Sequence, residues 1–215
     1  MCSSDLLPFV VASALALTSA AYGAFILPES LPVDRRRPFR FAAANPIVAL
    51  AIYRSAPGLT PLGIVMAIQH VAHAIWPSVG VLYLGHRYGW GPREVGLVFA
   101  LYGLAGAIMQ GLLVGPIVAR IGARAALLTG LASGAAAFAL QGLASTPPLF
   151  FASLPLSALW GLASASAFQL MSTRVAPDQQ GALQGADAAL IGFGNLVGPL
   201  AFSQSLRSEE HTSEL

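Results

Sequence analysis

Apolar residues fall in six long blocks along this chain, separated mostly by short stretches rich in Gly, Pro and Arg. The blocks are Leu6–Leu27, Leu59–Leu84, Val95–Val118, Ala125–Leu143, Leu149–Met171 and Ala186–Phe202. Each is close to the roughly 20 residues with which a helix crosses the hydrocarbon core of a bilayer. Within that core a helix satisfies its own backbone N–H and C=O groups, which an open strand cannot do. The pattern therefore predicts an all-α polytopic membrane protein with about six transmembrane helices. One connection breaks the rhythm. "PESLPVDRRRPFRFAAANPIVALAIYRSAPG", Pro28–Gly58, is polar, proline-rich and basic, and reads as a linker between two helix bundles.

Arginine placement orients the helices. Arg35, Arg36, Arg37, Arg40 and Arg54 lie in the linker, and alternation from there puts Arg120, Arg124 and Arg174 on the same side. The opposite side receives only Arg87 and Arg93. By the positive-inside rule the linker is expected to face the cytoplasm. The first block has a rival reading, since "LPFVVASALALTSAAYGA" also resembles the apolar core of a signal peptide. No basic residue precedes it and the apolar run continues into the arginine cluster, so a span leading to the cytoplasm is the preferred reading.

Composition agrees with the pattern. The chain is 56% hydrophobic and only 9% charged, whereas about a quarter of a soluble domain is charged. All eleven basic residues are arginine, and no basic stripe with interleaved aromatics marks a nucleic-acid surface. The single cysteine, Cys2, excludes an intrachain disulfide framework and a cysteine-based zinc site. No cofactor is called for, and the expected partner of most of the surface is lipid.

The two ends do not fit the rest. "RSEEHTSEL", Arg207–Leu215, back-translates as AGA TCG GAA GAG CAC ACG TCT GAA CTC, and "MCSSDL" as GTG TGC TCT TCC GAT CT. The second string is the reverse complement of the start of the first, and both resemble a sequencing-library adapter. The expectation is that residues 1–6 and 207–215 are adapter-derived. Without them the chain keeps ten arginines and five acids.

"GPIVARIGAR", Gly115–Arg124, closes the third block and opens the fourth. Glycine at Gly115 and Gly122 would permit a tight turn, and Arg120 and Arg124 can bond helix-end carbonyls or anionic headgroups. This stretch resembles the glycine–arginine loop of the major facilitator superfamily, in the copy found in the second half. "GHRYGWGPREVGLVFALYGLAGAIMQGLLVGPIVARIGAR", "FQLMSTRVAPDQQGALQGADAAL" and "NLVGPL" follow in the order seen in its tetracycline-efflux branch, and "FILPES" resembles the end of the sixth helix there. The resemblance covers essentially Leu7–Ser203. It implies a partial major facilitator fold comprising helices six to eleven of a twelve-helix antiporter. Residues 7–27 would be the last helix of the N-terminal half, 28–58 the central cytoplasmic loop and 59–206 an incomplete C-terminal half. The rest of the N-terminal half would be the missing partner, and a drug and protons the cargo.

Polar residues inside the blocks are the candidate site. Gln69, His70 and His73 lie one turn apart in the second block, ahead of Pro77. Three readings compete: a substrate-facing patch, a proton-linked histidine, and hydrogen bonding between helices. A metal site is disfavoured because no acid lies in that block. The resemblance implies that this helix lines a central cavity. Gln110, in the third block, has an amide suited to an oxygen-rich drug or a neighbouring helix. Asp187 is the acid inside a block, placed for the helix dipole or for proton coupling, with Asn195 on its face. Gly103, Ala107 and Gly111, and Gly194 with Gly198, are expected to let helices pack closely. One departure from the family stands out: where tetracycline antiporters carry an acid in the ninth helix, this chain has Ser133.

These features point to a fragment of a proton-coupled drug exporter in a bacterial inner membrane. The alternative is a carrier of the same superfamily with another small-molecule substrate. A membrane enzyme is the weaker reading, because "HVAH" lacks the glutamate and spacing of a zinc hydrolase and no nucleophile motif appears. A non-functional truncated product is the last.

Overall fold

Each apolar block forms a helix in the computed structural model, which describes residues 6–26 and 45–213, with backbone alone from residue 203. The arginine cluster of the linker and the first five and last two residues fall outside the described residues, so the adapter reading lies partly outside them. The chain divides into two units, residues 1–40 and 41–215. In the first unit, α1 (Leu7–Phe25) is a single apolar helix whose large side chains are exposed. Its hydroxyls fold back on its own backbone: Ser13 donates to the Phe9 carbonyl and Thr18 to that of Ala14, each at 2.8 Å. Such back-bonding pairs these two hydroxyls without water.

The second unit holds five helices long and apolar enough to cross a membrane. They are α2 (Leu59–Tyr88), α3 (Pro92–Ile121), α4 (Ala123–Leu143), α5 (Pro147–Ser172), and the apolar part of α6 (Pro177–Phe202). Every regular element among the described residues is helical. Two contacts fix which helix ends lie together. Arg174, just past α5, donates from Nη1 to the Gly58 carbonyl at 2.9 Å, joining the start of α2 to the end of α5. At the other side Tyr83 and Tyr88 of α2 donate to the Gln141 and Ala144 carbonyls near the end of α4, at 2.6 and 2.9 Å.

Glycines set the closest approaches. A Cβ on Gly130 of α4 would overlap the backbone of Ala163 on α5, and one on Gly134 would overlap the Trp160 indole. Gly194 and Gly198 of α6 meet His70 and Ala74 of α2 in the same way. Within this chain, nothing lies within 4 Å of where Cβ atoms on Gly103 and Gly111 of α3 would be. Small-residue spacing permits close packing, but these two face open space.

The described end of the linker is folded. Asn45 caps a short helical turn, Pro46–Ala49, by accepting from the Ile47 N–H at 2.9 Å, and a 3₁₀ turn, Leu50–Arg54, follows. Ile52 and Tyr53 are buried there, in one cluster with Leu59 and Met66 of α2, Met171 of α5, and Leu183 and Ala186 of α6. A second cluster on the opposite side is aromatic, with Trp76, Trp90, Phe150 and Tyr88 packed around one another.

Candidate functional site

The α2–α6 contact sets the site. Gly194 touches His70, and Gly198, one turn on, touches Ala74 one turn on, so the two helices run parallel and in step. Helical side chains lean toward the N-terminus, so the His70 imidazole is carried back along α6 to Asp187. Nε2 of His70 lies 3.1 Å from Oδ1 of Asp187, with the two side chains 17% and 19% exposed. The dipole account of Asp187 fades here. α6 proper starts at Gln180, which puts Asp187 about 10 Å along its axis, beyond the first turn where the dipole acts. Its electrostatic partner is the imidazole.

The remaining candidates do not converge on this pair. Gln69 turns into the core, 8% exposed, and its Oε1 has no hydrogen-bond partner. His73 lies against Trp160 of α5, ring centroids 5.5 Å apart. The three polar residues of α2 thus serve three directions. Pro77 shapes the helix beyond them: lacking an N–H it breaks the ladder, and Trp76–Gly80 takes up a π turn in which the Ser78 hydroxyl bonds the Ala74 carbonyl. Gln110 sits in a second π turn, Met109–Leu113, and donates from Nε2 to the Gly161 carbonyl of α5 at 3.3 Å. π turns inside helices are frequent at functional sites. Ser133 is buried and donates to the Gly130 carbonyl of its own helix at 2.9 Å.

In the loop motif, Gly122 carries the turn alone. Its φ of +80° is a conformation glycine adopts at little cost, and its N–H still closes α3 on the Val118 carbonyl at 2.9 Å. The expectation of a turn at Gly115 is corrected: that residue lies inside the helical segment Val114–Ile121 with an ordinary φ. Arg120 and Arg124 are exposed on either side of Gly122.

Comparison with known proteins agrees with this architecture. The sequence profile of the Major Facilitator Superfamily matches residues 62–204. The chain belongs to the major facilitator superfamily. Among its relatives is the class C tetracycline resistance protein of Escherichia coli, 30% identical over 90% of this chain and 48% of that protein. The class G protein of Vibrio anguillarum is 32% identical over 74% of the chain and 40% of its own length. The class B protein of Escherichia coli is 34% identical over 59% and 31%. The chain thus spans less than half the length of each of these relatives. No solved structure matches it. As a superfamily member with five membrane-length helices, it is a multi-pass membrane protein of a transporter family.

Several residues of this superfamily member were not singled out from the sequence. Trp160 is a hub of α5, holding His73 on one side and Phe138 edge-on at 5.0 Å, with Gly134 giving it room. A Cβ on Gly161 would meet Gln110 Nε2 at 2.9 Å, so a larger residue there would displace that amide. Tyr53 lays its ring over Gly63 of α2, where a Cβ would sit 2.8 Å from it. Its hydroxyl is buried without a partner. Burial, and after it the Asp187 carboxylate, push the Tyr53 phenol up to about 12. A cavity of about 690 Å³ opens beside Trp76, Tyr83, Arg87, Phe138 and Phe202, and none of the candidate residues lines it.

Proposed function

We infer that the whole protein is a proton-coupled exporter of amphipathic drugs in a bacterial inner membrane, working by alternating access. In this reading the chain is a fragment supplying the helix before the central loop, that loop, and most of the second half. The observation that carries it is the His70–Asp187 pair, a titratable contact at 3.1 Å between two membrane-length helices. Ionisable groups inside a membrane are costly and mark proton or ion pathways. The pair can hold one proton between imidazole and carboxylate, and its breakage would loosen α2 from α6 at the point where Gly194 lets them touch. Coupling of that kind fits rocking of two halves about a central site. Asp187 would then take the part that Ser133 cannot, because a serine hydroxyl does not ionise in this range. Gln110 and His73 are the polar groups proposed for substrate contact, since Gln69 turns into the core. The tetracycline resistance proteins among the relatives suggest a polyoxygenated drug. The second reading keeps the fold and changes the cargo to another small molecule, since the chain departs from the family at Ser133.

The test needs the complete gene, recovered by priming outward from the Arg93–Arg124 coding region through both ends. Cells expressing it should accumulate less amphipathic drug than vector controls, and a protonophore should abolish the difference. Asp187→Asn should stop energised export while leaving drug–drug exchange intact. Undiminished export by that variant would overturn the assignment of Asp187. The 215-residue chain alone should export nothing.

A further inference from the structure

The α2–α6 register places a third polar group at the same level. Carrying the step set by Gly194 on His70 and Gly198 on Ala74 back along both helices puts Asp187 opposite Gly63. The aromatic ring lying over Gly63 is that of Tyr53. Tyr53 is held there from both sides. Thr60 donates to its carbonyl at 2.7 Å, and its side chain packs in one cluster with Leu183, Ala186 and Leu190, which flank Asp187 on α6. Tyr53 is 7% exposed and its hydroxyl has no hydrogen-bond partner. A buried hydroxyl left unpaired costs free energy, so an arrangement that retains one calls for a state in which it is paired.

We propose that Tyr53 is a positioning residue for the His70–Asp187 pair, its phenol taking the Asp187 carboxylate when the imidazole lets go. This deepens the proton-coupling reading and rests on it. When the His70 imidazole turns away, the carboxylate loses its Nε2 partner. Asp187 remains a carboxylate and the phenol keeps its own proton, so one N–H donor is exchanged for one O–H donor. The effect of the Asp187 charge on the phenol agrees with their proximity. Among the described side chains, the other charged and titratable groups of the elements packed around the pair are His73, Tyr83, His86, Arg87 and Tyr88 of α2, with Arg54, Arg174 and Asp178. Tyr83, Arg87 and Tyr88 bond the Gln141 and Ala144 carbonyls at the far end of α2, where His86 also lies. His73 rests on Trp160, Arg174 bonds the Gly58 carbonyl, and Arg54 and Asp178 are exposed. Of the groups just named and Tyr53, it is Tyr53 that is buried, with its ring over Gly63 at the level of Asp187.

The test is a double-mutant cycle on thermal unfolding of the complete protein in detergent micelles. Tyr53→Phe alone should leave the Tm unchanged or raise it, because the hydroxyl is unpaired while His70 holds Asp187. His70→Leu should lower the Tm modestly, because the phenol takes over. The double variant should fall by roughly twice the sum of the single effects or more, the non-additivity of groups sharing a partner. As a second readout, Asp187→Asn should lower the titration midpoint of the Tyr53 phenol, followed with 3-fluorotyrosine placed at that position. Additive costs, or a phenol titration indifferent to Asp187→Asn, would overturn the proposal. A His70→Leu and Asp187→Asn cycle separates the two ideas. Coupling in that cycle with additivity at Tyr53 leaves the pair standing and removes Tyr53. Additivity in both removes the pair as well.

Discussion

Gly194→Ala is the substitution that tests the packing beneath the site. The added Cβ would lie 2.8 Å from the carbonyl carbon and oxygen of His70 and 3.0 Å from its Cβ. Two of these three atoms are backbone, so no rotamer change relieves the overlap. α6 must retreat from α2 by about 0.8 Å to reach ordinary contact distances of roughly 3.6 Å. The same retreat stretches the His70–Asp187 contact from 3.1 Å to nearly 4 Å, past hydrogen-bond range. Overpacking of this kind costs about 1–3 kcal/mol, and weakening a partly buried charged hydrogen bond adds about 1 kcal/mol. The expected loss is therefore about 2–4 kcal/mol. It should be read as a shift in the denaturant midpoint of the detergent-solubilised chain, alongside Gly103→Ala, where nothing lies within 4 Å. In the Gly194→Ala background, Asp187→Asn should cost less than in the parent, because part of its contact is already gone. If Gly194→Ala and Gly103→Ala fall within about 0.5 kcal/mol of each other, an ordinary surface effect, the inference that Gly194 sets the pair's geometry is refuted.

Other consequences are smaller and independent. Gly130→Ala places a Cβ against the Ala163 backbone and should cost about 1–3 kcal/mol, measurable by the same denaturant midpoint. Arg174→Ala removes the 2.9 Å bond to the Gly58 carbonyl and should cost about 0.5–1 kcal/mol, with hydrogen exchange rising first at the start of α2. Tyr53 should make the chain alkali-sensitive. Its phenol is raised to about 12 from an unperturbed value near 10, so its contribution is fully present below pH 10 and is lost as pH rises through 12. Tyr53→Phe should accordingly flatten the fall in stability over that window by about 2 kcal/mol. Equal alkaline losses in the two proteins would contradict it. Gly161→Ala should displace the Gln110 amide, which a Cβ would approach to 2.9 Å. The variant should lose drug export in the complete protein while its thermal stability changes little.

The spans were legible because nothing competes with their signal. A run of some 20 apolar residues has few folds open to it in a bilayer, and the ends found for α2 and α4 fall within a turn or so of those expected. What pairs with what was not legible. His70 and Asp187 are 117 residues apart, and nothing along the chain ties one to the other. Their meeting depends on which face of α6 touches α2, and that is decided by Gly194 and Gly198. Yet Gly103 and Gly111 of α3 carry similar small-residue spacing and face open space. Spacing shows that a close approach is allowed and leaves open which approach occurs. Tyr53 was hidden for a different reason. Its surroundings of proline and arginine read as linker, and that composition outweighed the nine-residue run "NPIVALAIY" within it. The run is too short to span a bilayer; its first apolar residues, Ile47 and Val48, stay exposed, and its last, Ile52 and Tyr53, are buried against α2 and α6. A membrane protein's polar contacts are arranged by apolar packing of this kind. The residues that decide a site such as His70–Asp187 are therefore the glycines and the buried linker turn beside it as much as the two titratable groups.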